Sequence, residues 1–110
     1  MPNPKTICVV GLGYIGLPTA AMFATSGFKV FGVDIKKSIV DNLNRGSVEI
    51  FEPNLEQLVS KEVKLGNLCA SRNIVPADVF IVAVPTSTKG VEHRADLSSV
   101  EAAFDAISKV

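Results

Sequence analysis

The sequence has no excess of either charge, no long apolar run, no internal repeat and no low-complexity linker. Eleven Lys and Arg residues balance eleven Asp and Glu, so no broad electrostatic field draws in nucleic acid or an anionic membrane, and neither is expected as a partner. The longest apolar stretches, such as residues 79–84, fall far short of the ~20 residues needed to cross a bilayer. No basic-then-apolar leader opens the chain, so a cytoplasmic protein is expected. Histidine occurs once, as His93 in a polar stretch, where a surface position is expected rather than proton transfer. The two cysteines, Cys8 and Cys69, lie inside apolar, strand-like runs and are expected to be small core residues. No metal site is expected.

What is present is enough apolar material for one compact domain: 110 residues, 47% of them hydrophobic. Thr6–Val10 is a short β-favouring run of the kind buried on both faces of a parallel sheet. Leu17, Ala20, Ala21 and Ala24 then recur at helical spacing, and Gly27 is placed to end that helix. Residues 29–34 form a second strand, and Ile39, Val40 and Leu43 mark a short helix closed by Gly46. Pro53 suits the first turn of another helix, with Leu55, Leu58, Val59 and Val63 facing inward until Gly66. A brief strand near Leu68–Ser71 follows, then the most strand-like run of all, residues 79–84, expected near the sheet centre. After a polar loop over residues 86–95, Asp96 or Ser98 can cap a last helix, with Glu101 completing a capping box and Leu97, Val100, Phe104 and Ile107 inward. Strands alternating with helices predict an α/β fold, a Rossmann-type doubly wound parallel sheet, incomplete because one mononucleotide-binding half and only the start of the next are supplied.

Gly11-Leu12-Gly13-Tyr14-Ile15-Gly16 fits G-x-G-x-x-G. The pattern alone is weak, but here it follows an apolar strand, opens a helix and precedes a second strand ending in Asp34, at about the ~20-residue spacing of a dinucleotide site. Gly11 permits the tight turn, Gly13 lets the backbone approach a pyrophosphate, and Gly16 lets helix and strand pack closely. The anion would sit on the helix N-terminus, compensated by unpaired N–H groups and the helix dipole. Asp34 would accept from the adenosine ribose hydroxyls and repel a 2′-phosphate, which favours NAD over NADP, although Lys36 and Lys37 could neutralise an extra phosphate.

These motifs, together with Val9-Val10 before the turn and Leu17-Pro18 after it, Gly32-Val33-Asp34-Ile35, Asn44-Arg45-Gly46, Glu52-Pro53-Asn54-Leu55, Ala83-Val84-Pro85-Thr86, Lys89-Gly90 and Asp96-Leu97, resemble the UDP-glucose/GDP-mannose dehydrogenase superfamily over nearly the whole chain. The resemblance implies an enzyme that uses two NAD molecules in succession to oxidise the C6 alcohol of a UDP-sugar to a carboxylate for surface polysaccharide. UDP-N-acetylmannosamine ranks ahead of UDP-glucose or another UDP-N-acetylhexosamine as substrate, and the full-length protein would be a homo-oligomer. By the same resemblance the backbone around Tyr14 and Ile15 meets the pyrophosphate, Asp34 holds the adenosine ribose, and Val84, Pro85 and Thr86 lie at a strand's carboxyl end beside the cofactor.

Glu52 resembles a family position near the cofactor and domain interface, and reads equally well as a solvated acid at a helix N-terminus. Thr86 has a rival reading as a turn residue after Pro85. Two departures touch loop shape: Ser87 stands where the family often has proline, and Ala95-Asp96 where it has proline-aspartate. The family's catalytic cysteine, lysine and asparagine belong to a segment beyond residue 110, so residues 1–110 are expected to be the N-terminal part of the NAD-binding domain, without the substrate domain, without a catalytic residue and inactive alone. Competing readings are a nucleotide-sensing regulatory module and a β-hydroxyacid dehydrogenase.

Overall fold

The computed structural model describes residues 5–48, 52–83, 87–89, 94–96 and 105–109. Four parallel strands form one sheet: β1 (Thr6–Val10), β2 (Lys29–Val33), β3 (Leu68–Ser71) and β4 (Val79–Val82), in the spatial order β3-β2-β1-β4. The chain steps outward from β1 to β3 and returns to the other side of β1, which places a topological switch point between the carboxyl ends of β1 and β4. This is the expected doubly wound class.

Side-chain alternation along β1 builds two cores. Ile7 and Val9 face one side with Val30 and Leu68, where α1 (Gly16–Thr25) and α3 (Leu55–Lys64) cover them through Leu17, Ala20, Ala21, Ala24, Leu55 and Val59. The three alanines are at most 1% exposed; their small side chains let α1 lie close to the sheet. Cys8 and Val10 face the other side with Val33, covered by Ile74, Val75 and Ile107. α2 (Lys37–Asn44) packs beside β3 and buries Val40 and Leu43. Leu12, Leu43 and Leu68 are fully buried, each worth roughly 1.5–3 kcal/mol of apolar transfer.

Helices α1, α2 and α3 end in the same way. At α1 the Phe28 N–H donates to the Phe23 carbonyl and the Gly27 N–H to that of Ala24, both at 3.2 Å, with Gly27 at φ +101°. This is a Schellman ending, in which the residue past the cap takes the left-handed conformation that glycine adopts without strain. Phe23 and Phe28 stack edge to face across it at 5.7 Å, the apolar contact that accompanies the motif. The equivalent bonds end α2 at Gly46 and Ser47, and α3 at Gly66 and Asn67.

On the outer side of β3, the Asn44 side chain donates to the Ala70 carbonyl at 3.1 Å and accepts from the Ala70 N–H at 2.8 Å, filling the place of one residue of a neighbouring strand. At the amino end of the sheet, Asp78 accepts from the Lys5 and Thr6 N–H groups and the Thr6 hydroxyl at 2.9–3.1 Å, tying the start of β1 to the start of β4.

Several expectations are corrected. Pro53 lies before α3 rather than in its first turn: the Leu55 N–H donates to the Glu52 carbonyl, and Asn54 at φ +66°, ψ 0° makes a type II turn with proline in its second position. Leu58 is 38% exposed, whereas Glu62 is buried, its carboxylate accepting from the Asn67 side chain at 3.0 Å. β4 lies at one edge of the sheet among the described residues, because β1 is its one described partner, and it covers Val79–Val82 rather than residues 79–84. The stretch expected as a polar loop contains a hairpin, β5 (Ser87–Lys89) antiparallel to β6 (Arg94–Asp96), with Asp96 paired to Ser87; the start of the helix that Asp96 was expected to cap lies outside the described residues. Residues 105–107 are helical and Ile107 faces the core as expected, while Leu97, Ser98, Val100, Glu101 and Phe104 lie outside the described residues.

Candidate functional site

The turn after β1 is built by close approach. The Gly11 N–H donates to the Val33 carbonyl at 2.7 Å, and Gly11 takes φ +99° to reverse the chain at the sheet's carboxyl edge. A Cβ on Gly16 would lie 1.6 Å from the Gly11 carbonyl oxygen and 3.4 Å from the Ala83 Cβ, so no other residue fits where α1 crosses the turn. Gly13 is the opposite case: a Cβ there meets nothing within 4 Å among the described residues. Leu12 anchors the turn from below, 1% exposed, in space that Gly32 leaves free.

Tyr14 and Ile15 project outward, 80% and 74% exposed. No side chain caps the α1 N-terminus and no acidic residue occupies its first turn. Among the described residues, no side chain of α1 itself compensates the positive end of the helix dipole beside Gly13.

Asp34 leaves β2 directly beside this turn, its own N–H donating to the Ser71 carbonyl. Its Oδ2 accepts from the Leu12 N–H at 3.0 Å and its Oδ1 from the Lys36 N–H at 2.9 Å. Each carboxylate oxygen keeps a lone pair for a further donor. Between the turn and α2 lies a cleft of about 290 Å³, lined by Gly13, Tyr14, Lys36, Ile39 and Asn42 among others. A larger, shallower hollow of about 630 Å³ between Gly46 and the outer face of α3 contains none of these residues, and an open dent on a helix's solvent side is a poorer match to the chemistry.

The sequence-expected residues divide accordingly. Gly11, Gly13, Tyr14, Ile15, Gly16 and Asp34 meet at one place, at the carboxyl ends of β1 and β2. Val84, Pro85, Thr86 and His93 lie outside the described residues; Ala83, immediately before them, donates its N–H to the Val10 carbonyl at 2.7 Å, so the chain reaches the switch point there. Lys36 borders the cleft, whereas Lys37 begins α2 and is exposed. Glu52 is exposed and contributes its carbonyl to the turn before α3. Burial pushes both cysteine thiols up from their ordinary value, partly offset for Cys8 by a hydrogen bond from the Val75 backbone and for Cys69 by Lys29. That is the reverse of what activates a nucleophile. Arg72 was not singled out from the sequence. It follows β3 at the same edge, and its Nε donates to the Ile35 carbonyl at 3.1 Å; its place after an apolar strand was the available signal.

A parallel sheet in this order, a glycine turn at its switch point and an acidic residue ending the second strand define a Rossmann-type domain. The chain belongs to the UDP-glucose/GDP-mannose dehydrogenase family, matching the family's NAD binding domain over residues 5–110. It is 52% identical over 104 residues to UDP-N-acetyl-D-mannosamine dehydrogenase of Campylobacter jejuni, covering 94% of this chain and 26% of that protein. It is 50% identical over 105 residues to the Escherichia coli K12 enzyme of the same name, covering 96% and 25%. The solved UDP-N-acetyl-mannosamine dehydrogenase of Staphylococcus aureus superposes with a TM-score of 0.91 at 42% identity, over 94% of this chain and 26% of that one. A ternary complex of GDP-mannose dehydrogenase from Pseudomonas aeruginosa gives 0.87 at 30% identity, over 92% and 24%. The chain thus spans about a quarter of the length of the curated relatives it matches. These relatives lend no support to a regulatory module.

Proposed function

We propose that residues 1–110 are the NAD-binding part of a UDP-sugar 6-dehydrogenase, with UDP-N-acetyl-D-mannosamine as the sugar nucleotide oxidised. The observation that carries the reading is the pairing of Gly16, where a Cβ would strike the Gly11 carbonyl, with Gly13, where it would meet open space in front of an uncapped helix N-terminus. That asymmetry fits a dinucleotide: packing closes one side of the turn and the other is left for a pyrophosphate.

In this reading the backbone from Gly11 to Gly16, including Tyr14 and Ile15, receives the pyrophosphate. Asp34 accepts from the ribose hydroxyls with the lone pairs that Leu12 and Lys36 leave free. By the family resemblance, Val84, Pro85 and Thr86 would belong to the same site. NAD held there supplies a hydride acceptor. None of these residues is a candidate base or nucleophile, so alcohol deprotonation and aldehyde capture fall to residues outside this domain. The sugar assignment rests on the relatives' names and the family motifs. Action in the cytoplasm and assembly into a homo-oligomer belong to the same proposal; among the described residues no helix is long and apolar enough to cross a membrane.

The test is calorimetric titration of the intact protein and of Gly13→Ala with NAD, with NADH formation followed when UDP-N-acetyl-D-mannosamine is added. The added methyl group meets no atom of the described residues within 4 Å, so the thermal midpoint should hold while NAD binding weakens by about tenfold or more, the loss expected when a charge-assisted hydrogen bond is displaced. Undiminished NAD binding by Gly13→Ala, or none by the folded parent, would defeat the cofactor reading. NAD binding without NADH formation would defeat the choice of sugar.

A further inference from the structure

No charged residue lies between Lys5 and Lys29, a stretch that contains the whole of α1. The consequence shows on the outer face of that helix. α2 turns Lys37 and Asp41 to solvent and α3 turns Glu56, Lys61 and Lys64, as amphipathic surface helices do. α1 instead presents Met22, 56% exposed, two turns from the exposed Ile15, with Pro18 and Thr19 half-buried between them. The hydroxyl groups on α1 turn back onto the helix. That of Thr19 donates to the Ile15 carbonyl at 2.7 Å, that of Thr25 to Ala21 at 2.9 Å and that of Ser26 to Met22 at 3.0 Å. Back-bonding of this kind leaves no hydroxyl proton for burial to strand, and there is no charge to desolvate.

A helix that is apolar on every side is a buried helix, yet Ile15, Met22, Thr25 and Ser26 are exposed. We propose that the outer face of α1 is an interface, covered in the intact protein by an apolar face of the same polypeptide, from the part that lies beyond this chain in relatives of which it spans 26% and 25%. The ten residues of α1 offer a face of roughly 15 Å by 10 Å, far below the ~800 Å² that each partner gives to a stable complex. Too small to hold a second molecule, it suffices for a segment tethered to the same chain, whose high local concentration replaces much of the missing area. Neither step needs a dinucleotide in the turn, so the interface stands apart from the cofactor reading.

The test is the rate at which hydrogen peroxide converts Met22 of the intact protein to its sulfoxide, read by peptide mass spectrometry against the same protein unfolded in denaturant. A covered thioether should react at least about fivefold more slowly than in the unfolded chain, and equally so at every protein concentration. A smaller difference means a bare face and overturns the interface. Protection that disappears on dilution, as subunits separate, gives the face to a second copy and overturns the choice of occupant. Met22→Lys and Met22→Leu supply a second readout. A charge placed under the covering segment should lower the thermal midpoint of the intact protein by about 2 °C or more, whereas leucine should leave it near the parent; equal midpoints for the two variants also overturn the interface.

Discussion

The two ends of the sheet use the same chemistry for different ends. At the amino end Asp78 gathers the Lys5 and Thr6 N–H groups and the Thr6 hydroxyl, and at the carboxyl end Asp34 gathers those of Leu12 and Lys36. Each carboxylate fastens a strand end to a neighbouring segment. What separates them is the surroundings: among the described residues, beside Asp34 lie a helix N-terminus without a side-chain cap and the open space at Gly13, neither of which accompanies Asp78. A carboxylate that accepts backbone N–H groups is thus no sign of a site by itself; the space left beside it is.

The largest effect that would sharpen this contrast is expected from Gly16→Ala. Its Cβ would sit 1.6 Å from the Gly11 oxygen, backbone that cannot give way without rebuilding the turn. A loss of more than about 3 kcal/mol in denaturant unfolding is expected, beyond ordinary overpacking. A fall below about 1 kcal/mol would show the turn to be adaptable, and the close approach incidental. Next comes Asp34→Ala. It frees the buried Leu12 N–H and should cost about 1–2 kcal/mol of stability, together with about tenfold in NAD affinity if the carboxylate also meets the ribose. Loss of stability with NAD affinity intact would make Asp34 a fastener like Asp78.

The smallest effect belongs to the amino end. Hydrogen bonds from the Lys5 and Thr6 backbone hold the Asp78 carboxyl below its ordinary value of 3.8. A depressed carboxylate contributes stability above its unfolded value and loses it as the pH falls through the folded one. Asp78→Asn should therefore flatten the decline in thermal midpoint below about pH 4, without altering NAD binding at neutral pH. An unchanged acid slope would show that the contacts to β1 carry no weight in solution.

Much of this architecture was legible in the sequence wherever a local rule decided it. Gly27, Gly46 and Gly66 mark helix ends because the left-handed position past a helix selects glycine, and the turn from Gly11 to Gly16 is legible because only glycine survives such contacts. Asp34 was placed by spacing from that turn. What escaped depends on distant parts of the chain. The hairpin of β5 and β6 is made of short polar segments such as Ser87-Thr88-Lys89, whose composition reads as loop and whose pairing is settled by the strand opposite. Glu62 sits in the core because the Asn67 side chain meets it there, a partner no periodicity announces. Arg72 joined the site only once the strand order placed β3 next to β2.

The pairing of Asn44 with Ala70 gives the sheet a direction. A strand arriving beside β3 would first have to displace a side chain that already occupies both outward backbone groups of Ala70, whereas β4 offers an arriving strand no such obstacle among the described residues. Growth of the sheet, whether by more of the same polypeptide or by a stray neighbour, is thereby steered toward β4. That is the flank of the switch point, so whatever extends the sheet also builds the far wall of the crevice.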